Sequence, residues 1–257
     1  MVAFIRSPTQ PHTMRTPTSG SADELGHLDG DNSNVFGPEL GEFSGNAGGH
    51  EESAADDAGM KTGTTTVGLK TDEGVVLATD MRASLGNMVS SKDVQKVEEI
   101  HPTGALTIAG SVSAAQNLIS SLQAEVRLYE ARRGEDMSMQ ALSTLTGNFL
   151  RSGAFLIVSP ILGGVDSEGS HIYSIDALGG TTEEEYTVTG SGSQFALGVL
   201  EQHYEDDLSL DEAETVAARA IKSAVERDLA SGNGINVAVV TEEGVDVSKY
   251  KNIDELL

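Results

Sequence analysis

Two antiparallel β-sheets stacked between layers of helix, an α+β architecture, is what this sequence predicts. Three observations carry the prediction. Strand-like and helix-like segments come in runs, ββββ-αα-βββ-αα-β, which suits antiparallel pairing and not the alternation of a doubly wound parallel sheet. Short Gly- and Pro-containing turns separate the first strands at hairpin spacing. The chain has 257 residues, 38% of them hydrophobic, which allows one or two domains with a real core.

The elements follow in order. Thr65 to Thr71 and Val75 to Thr79 are β-rich runs around Asp72-Glu73-Gly74, a hairpin signal. Val97 to His101 and Ala105 to Ala109 form a second pair around Pro102-Thr103-Gly104. A helix follows from about Ser113 to Arg133, with Leu118, Leu122, Val126 and Tyr129 on one face. A second helix covers Ser138 to Leu150. Three strands are expected at Ala154–Val158, His171–Asp176 and Glu184–Val188. Phe195 to Tyr204 reads as helix. Ser209 with Glu212 makes a capping box, opening a helix with Val216, Ala220 and Ala224 on one stripe. Ile235 to Val240 is expected to close the chain as a strand.

Residues 1–63 have a different texture. They hold four of the six prolines and ten glycines, but only nine Val, Ile, Leu or Phe. Such a segment buries too little apolar area to offset its ordering entropy, so disorder is predicted. A linker, an expression remnant and a removable leader all fit, and Met14 is an alternative start.

Charge and composition remove several function classes. The net charge of −24 divides as −7 in residues 1–63 and −17 in 64–257, so the acidity extends to the folded part. With only 7 lysines, such a surface suits a high-salt cytoplasm, where screening removes much of the self-repulsion. It argues against nucleic-acid binding, which needs a basic face. The absence of cysteine excludes a disulfide scaffold, a thiolate metal site and a cysteine nucleophile. No apolar run exceeds five residues, the length of Ala154 to Val158, far short of the ~20 of a membrane span. Residues 1–20 lack a secretory apolar core, and a cytoplasmic location is expected.

Gly63-Thr64-Thr65-Thr66-Val67-Gly68-Leu69-Lys70-Thr71 nearly spells a P-loop, but the lysine is displaced by one and a strand stands where the phosphate-binding helix should begin. Gly190-Ser191-Gly192-Ser193 fits neither the nucleophile elbow nor the dinucleotide spacing. His12, His27 and His50 fall in the leading segment, and His101, His171 and His203 lack ligand spacing. No metal and no cofactor are expected.

What survives is the Gly63-Thr64 junction, where the leading segment meets the first strand. Read alone it is compatible with a plain threonine-rich strand. Cut after Gly63, however, Thr64 would carry a hydroxyl beside a free α-amine of reference pKa ~7.7–8.0, a base that works at neutral pH without histidine.

Six blocks around and downstream of this junction settle the reading: Thr64-Thr65-Thr66-Val67-Gly68, Ala78-Thr79-Asp80-Met81-Arg82-Ala83-Ser84, Lys96, Leu106-Thr107-Ile108-Ala109-Gly110-Ser111, Thr189-Gly190-Ser191-Gly192-Ser193 and Glu226-Arg227-Asp228-Leu229-Ala230-Ser231-Gly232. In this order they resemble the β subunits of archaeal 20S proteasomes, which are N-terminal-nucleophile hydrolases, from residue 63 to about 245. The resemblance implies a four-layer αββα sandwich over 64–257 and an acidic propeptide over 1–63 that is removed autocatalytically. It implies Thr64 as nucleophile of a threonine endopeptidase, with its freed amine as general base. Lys96 would be the cation beside it, Asp80 the partner that positions Lys96, and Ser191, Asp228 and Ser231 a hydrogen-bonded network around the amine. Gly110 would lend its backbone N–H to an oxyanion, and Gly63 would tolerate the strained turn that brings Thr64 Oγ to its carbonyl.

The same matching places Ala83, Ser84, Val94, Glu98, Ile108, Val112 and Gln116 around the specificity pocket. Mostly small and apolar, it favours hydrophobic residues before the scissile bond, while Glu98 leaves room for basic ones. Implied partners are further β subunits in a seven-membered ring, α-subunit rings in a four-ring stack, a regulatory AAA ATPase and unfolded polypeptides. Two alternatives are a subunit of the bacterial two-ring peptidase and a non-catalytic ring scaffold.

Overall fold

The computed structural model describes residues 63–153, 155 and 158–257. Residues 1–62 of the expected leader, Met14 among them, and three of the five residues of the expected strand Ala154–Val158 lie outside them.

The first hairpin forms as expected: β1 (Thr65–Thr71) and β2 (Gly74–Asp80) pair antiparallel across Asp72-Glu73. A short hairpin follows, β3 (Ala83–Leu85) with β4 (Met88–Ser91), and then β5 (Val97–His101) and β6 (Gly104–Thr107). Helices α1 (Val112–Arg133) and α2 (Met139–Arg151) come next. Ser111 and Ser138 cap them by accepting the N–H of Ala114 and Ala141, and Gly134 ends α1 in the left-handed conformation. After β7 (Ile161–Asp166), β8 (Gly169–Ile175), β9 (Thr181–Glu183) and β10 (Tyr186–Gly190) come α3 (Ser193–His203) and α4 (Leu210–Val225). The Ser209–Glu212 capping box is formed in both directions at the start of α4. The chain then runs through β11 (Ile235–Thr241) and β12 (Gly244–Tyr250) into a 3-10 turn.

One sheet has the order β10-β1-β2-β11-β12 and the other β5-β6-β7-β8-β9. Three apolar clusters cement four layers. Leu118, Leu122 and Val126 of α1 with Leu142 and Leu150 of α2 cover Leu106, Leu162 and Tyr173 of the second sheet. Val75 and Leu77 meet Ile161 and Ile172 between the sheets. Ala213, Val216, Ala217, Ala220 and Ile221 of α4 lie on Val67, Leu69, Val76 and Ala78 of the first. The fold is therefore the αββα sandwich, and β2, covered on both faces, is buried along its whole length. Among the described residues no helix is long and apolar enough to cross a membrane.

The structure corrects the element list. The strand expected at Ala154–Val158 is not where β7 lies: Phe155 is in a turn, Val158 makes only an isolated bridge to Gly110, and the strand begins at Ile161. Gly163-Gly164 dilutes the strand signal of β7 while serving its packing. A Cβ on Gly163 would come within 2.7 Å of Val75 Cγ1 and 3.1 Å of Leu77 Cδ2 on the facing sheet. Gly163→Val should therefore lower stability by about 1–3 kcal/mol through overpacking, read as a denaturant midpoint in high salt. An unchanged midpoint would contradict the tight sheet approach. β11 does not close the chain, because β12 pairs along its full length. The exposed β3–β4 hairpin and β9 also form, and β10 starts two residues later than expected.

Candidate active site

Four chain ends of the first sheet converge. Thr65 at the start of β1 is opposite Gly190 at the end of β10, and Asp80 at the end of β2 is opposite Ile235 at the start of β11. The segments flanking these positions, Gly63-Thr64, Ser191 and Asp228–Gly232, are thus delivered to one place. Lys96 comes from the other sheet, where its carbonyl accepts the Ile108 N–H at 2.7 Å.

Thr64 is buried, 4% exposed, and its hydroxyl sits between two groups. Lys96 Nζ donates to Thr64 Oγ1 at 2.9 Å, and Oγ1 donates to the carbonyl oxygen of Gly63 at 2.7 Å. The nucleophile candidate thus touches the peptide group that joins it to the leader. Lys96 also donates to Asp80 Oδ1 at 2.7 Å, with both side chains almost fully shielded from solvent. Burial lowers the Lys96 pKa from its ordinary 10.5, the more so beside the Arg82 guanidinium, while Asp80 and Asp228 oppose the shift.

Asp80 is held by backbone donors besides: Thr65 N–H at 3.0 Å on Oδ1, Arg82 N–H at 2.9 Å and Gly232 N–H at 2.8 Å on Oδ2. Ser191 Oγ accepts the Thr64 N–H at 3.2 Å and donates to Asp228 Oδ2 at 2.6 Å. Ser231 Oγ donates to the same oxygen at 2.6 Å and lies 2.7 Å from Thr65 Oγ1. The structure thus joins Thr64, Asp80, Lys96, Ser191, Asp228 and Ser231 in one network. An amine released at Thr64 would have a hydroxyl, an ammonium and a serine–aspartate pair within reach of one another.

Gly63 is also required by close approach: a Cβ there would collide with the Ala230 side chain and lie 2.8 Å from Ser191 Oγ. Its N–H donates to Ser84 Oγ at 3.2 Å, so Ser84 meets the residue before the junction. Gly110 does have a left-handed φ of 113° at the strand-to-helix turn, and among the described residues no hydrogen bond ties its N–H to Thr64.

The remaining pocket candidates are placed on β3 (Ala83), before and within β5 (Val94, Glu98), after β6 (Ile108) and on α1 (Val112, Gln116). They do not line a cavity of about 500 Å³ at His101, Met137 and Asp166, which lies elsewhere. Val94 is fastened through its N–H to Met81 O and its carbonyl to Asn236 Nδ2. Burial raises the Glu98 carboxyl above its ordinary value, against a hydrogen bond from Gln95. Sequence reasoning missed Arg82, Asn233 and Ala230, whose contacts with the site span long stretches of chain.

Comparison with known proteins places the chain in a family. A family model described as "Proteasome subunit" matches residues 60–240. The chain is 74% identical over 252 residues to the proteasome subunit beta of Halorubrum lacusprofundi, covering 95% of this chain and all of that one. It is 74% identical over 247 residues to the counterpart in Haloferax volcanii and 71% over 251 in Haloquadratum walsbyi, with the same coverage of each chain.

Proposed function

This chain belongs to the proteasome subunit family, and from that premise we propose that it is a catalytic β subunit of a proteasome core, a threonine endopeptidase acting on unfolded polypeptides. One observation carries the reading: the Thr64 hydroxyl lies between the Lys96 ammonium and the Gly63 carbonyl.

In leader removal, Thr64 Oγ attacks the Gly63 carbonyl carbon as the Gly63–Thr64 C–N bond breaks. The acyl group moves to oxygen, and the hydroxyl proton ends on the released amine. Water then hydrolyses the ester, freeing residues 1–63. In peptide hydrolysis the amine takes the hydroxyl proton, Oγ adds to the substrate carbonyl, and the amine gives the proton to the leaving nitrogen as the C–N bond breaks. Water, activated by the same amine, then cleaves the ester, releasing the acid and restoring the Thr64 hydroxyl. Lys96 lowers the amine's proton affinity by like-charge repulsion and stabilises the attacking oxygen. The Gly110 N–H receives the oxyanion, a contribution of ~2.7–4 kcal/mol for a single donor. Hydrophobic side chains before the scissile bond suit the pocket formed by Ala83, Val94, Ile108 and Val112.

The working particle in this reading sits in the cytoplasm. It is a seven-membered β ring within a four-ring stack with α subunits, fed by an AAA ATPase. Intact-mass measurement of assembled particles is expected to show subunits beginning at Thr64. Leader attached to every subunit would overturn the proposal, and a six-membered ring by electron microscopy would favour the two-ring peptidase instead.

A further inference from the structure

The segment Asp228–Asn233 supplies Asp228 and Ser231, yet little apolar packing holds it. Leu229 is 90% exposed. Asn233 has φ of 71°, the one left-handed non-glycine among the described residues, a conformation asparagine tolerates at some cost. A loop of this kind keeps its place through polar ties.

Those ties run to Arg82. Its Nε donates to Asn233 Oδ1 at 2.9 Å and its Nη1 to the Leu229 carbonyl at 2.7 Å. The guanidinium lies where a Cβ on Gly232 would be, so a side chain there would displace it. Two backbone bonds complete the fastening: Met81 N–H to Gly232 O at 3.0 Å, and Gly232 N–H to Asp80 Oδ2.

We infer that Arg82 is a positioning residue for the reaction: its planar fork clamps the Asp228–Asn233 loop to the end of β2 that carries Asp80. The inference rests on the proposed hydrolysis at Thr64. If the loop slips, Asp228 no longer orients Ser191 over the Thr64 nitrogen, and Ser231 leaves Thr65. A displacement near 1 Å in such an arrangement costs about a hundredfold in rate. Lysine cannot replace the fork, because one ammonium on a flexible stem does not reach Asn233 Oδ1 and Leu229 O in fixed geometry. The guanidinium also disfavours the protonated form of Lys96. Its loss therefore moves the alkaline limb of the rate profile to higher pH; loosened burial of Lys96 would move it the same way, so Arg82→Lys, which keeps the charge and loses the fork, separates the two.

The test compares Arg82→Gln, Arg82→Lys and Asn233→Gly in the assembled full complex, with rates expressed per leader-free subunit. Arg82→Gln is expected to lower kcat about a hundredfold with KM nearly unchanged and to raise the alkaline limb. Arg82→Lys should lose kcat while leaving the limb in place. Asn233→Gly allows the left-handed backbone and removes the side-chain amide that Arg82 grips, leaving the Leu229 tie, so a smaller loss of kcat is expected. A kcat within about twofold of the parent for Arg82→Gln overturns the inference, and so does an unmoved alkaline limb. If Arg82→Gln does not assemble, Asn233→Gly decides, and parental kcat there overturns the clamp. Absence of Thr64-dependent hydrolysis in the parent particle strikes the proposed function itself, and the clamp with it; the variant results strike the clamp alone.

Discussion

Particles carrying Thr64→Ala are expected to keep their leader and to show no peptide hydrolysis. Among the described residues Thr64 Oγ1 is the hydroxyl that touches both Lys96 Nζ and the Gly63 carbonyl. The neighbouring hydroxyls are committed: Thr65 Oγ1 to Ser231, and Ser191 Oγ to Asp228. Loss of a nucleophile removes the covalent route altogether, so the fall reaches the assay background and not a fraction of the parental rate. The fold should tolerate the change, since the lost groups are one hydroxyl and one methyl at a strand's start. Thr64→Ser keeps the oxygen and should retain leader cleavage. The readouts are subunit mass and fluorogenic peptide turnover in high salt. Leader release by the alanine variant in isolation would end the nucleophile assignment.

Lys96→Ala should abolish turnover almost as completely, with the subunit still folded. Removing one member of a buried ion pair ordinarily costs about 3–5 kcal/mol because the other charge is stranded. Asp80, however, keeps the N–H groups of Thr65, Arg82 and Gly232. Lys96→Arg should not restore the rate, because a planar fork cannot occupy the slot of a compact ammonium between Thr64 Oγ1 and Asp80. The parent's pH profile should be bell-shaped. On the acid side activity rises as the Thr64 amine loses its proton, at or below the reference ~7.7–8.0 because Lys96 repels the charged form. On the alkaline side it falls as Lys96 deprotonates, and since burial lowers that pKa the fall comes below 10.5. Near-parental turnover by Lys96→Ala would reduce this lysine to a structural cation.

Much of the architecture was legible because its signals are local. The capping box at Ser209, the apolar face of α1 and the first hairpin each lie within a few turns of chain, and each formed. β7 was misplaced because its two glycines answer to the opposite sheet, which no local window reports. The β3–β4 hairpin does carry a Gly-Asn turn, but its exposed strands lack the alternation that marks a buried face. β12 has such alternation, with Val245 and Val247 packed on the core, and was a readable strand that went unread. The network members stood in the quoted blocks, so a resemblance located them and the fold joined them. Arg82 stood in a block too, yet its partners are 147 and 151 residues away, and no spacing rule announces such a pairing.

Asp80 has one more consequence. An ionised carboxylate offers about four lone-pair positions, and here each is taken: Lys96 and Thr65 fill Oδ1, Arg82 and Gly232 fill Oδ2. With every position taken, it holds Lys96, the start of β1 and the Asp228–Asn233 loop in one fixed register. Asp228 is similarly engaged by Ser191, Ser231 and the Ala230 N–H. While the chain is uncut, the nitrogen of Thr64 is an amide and offers no basic lone pair. In the proposed mechanism basicity at this centre is created by cutting the backbone, which would make the onset of activity a one-way event in the life of each chain, set by covalent chemistry and not by a reversible shift in shape.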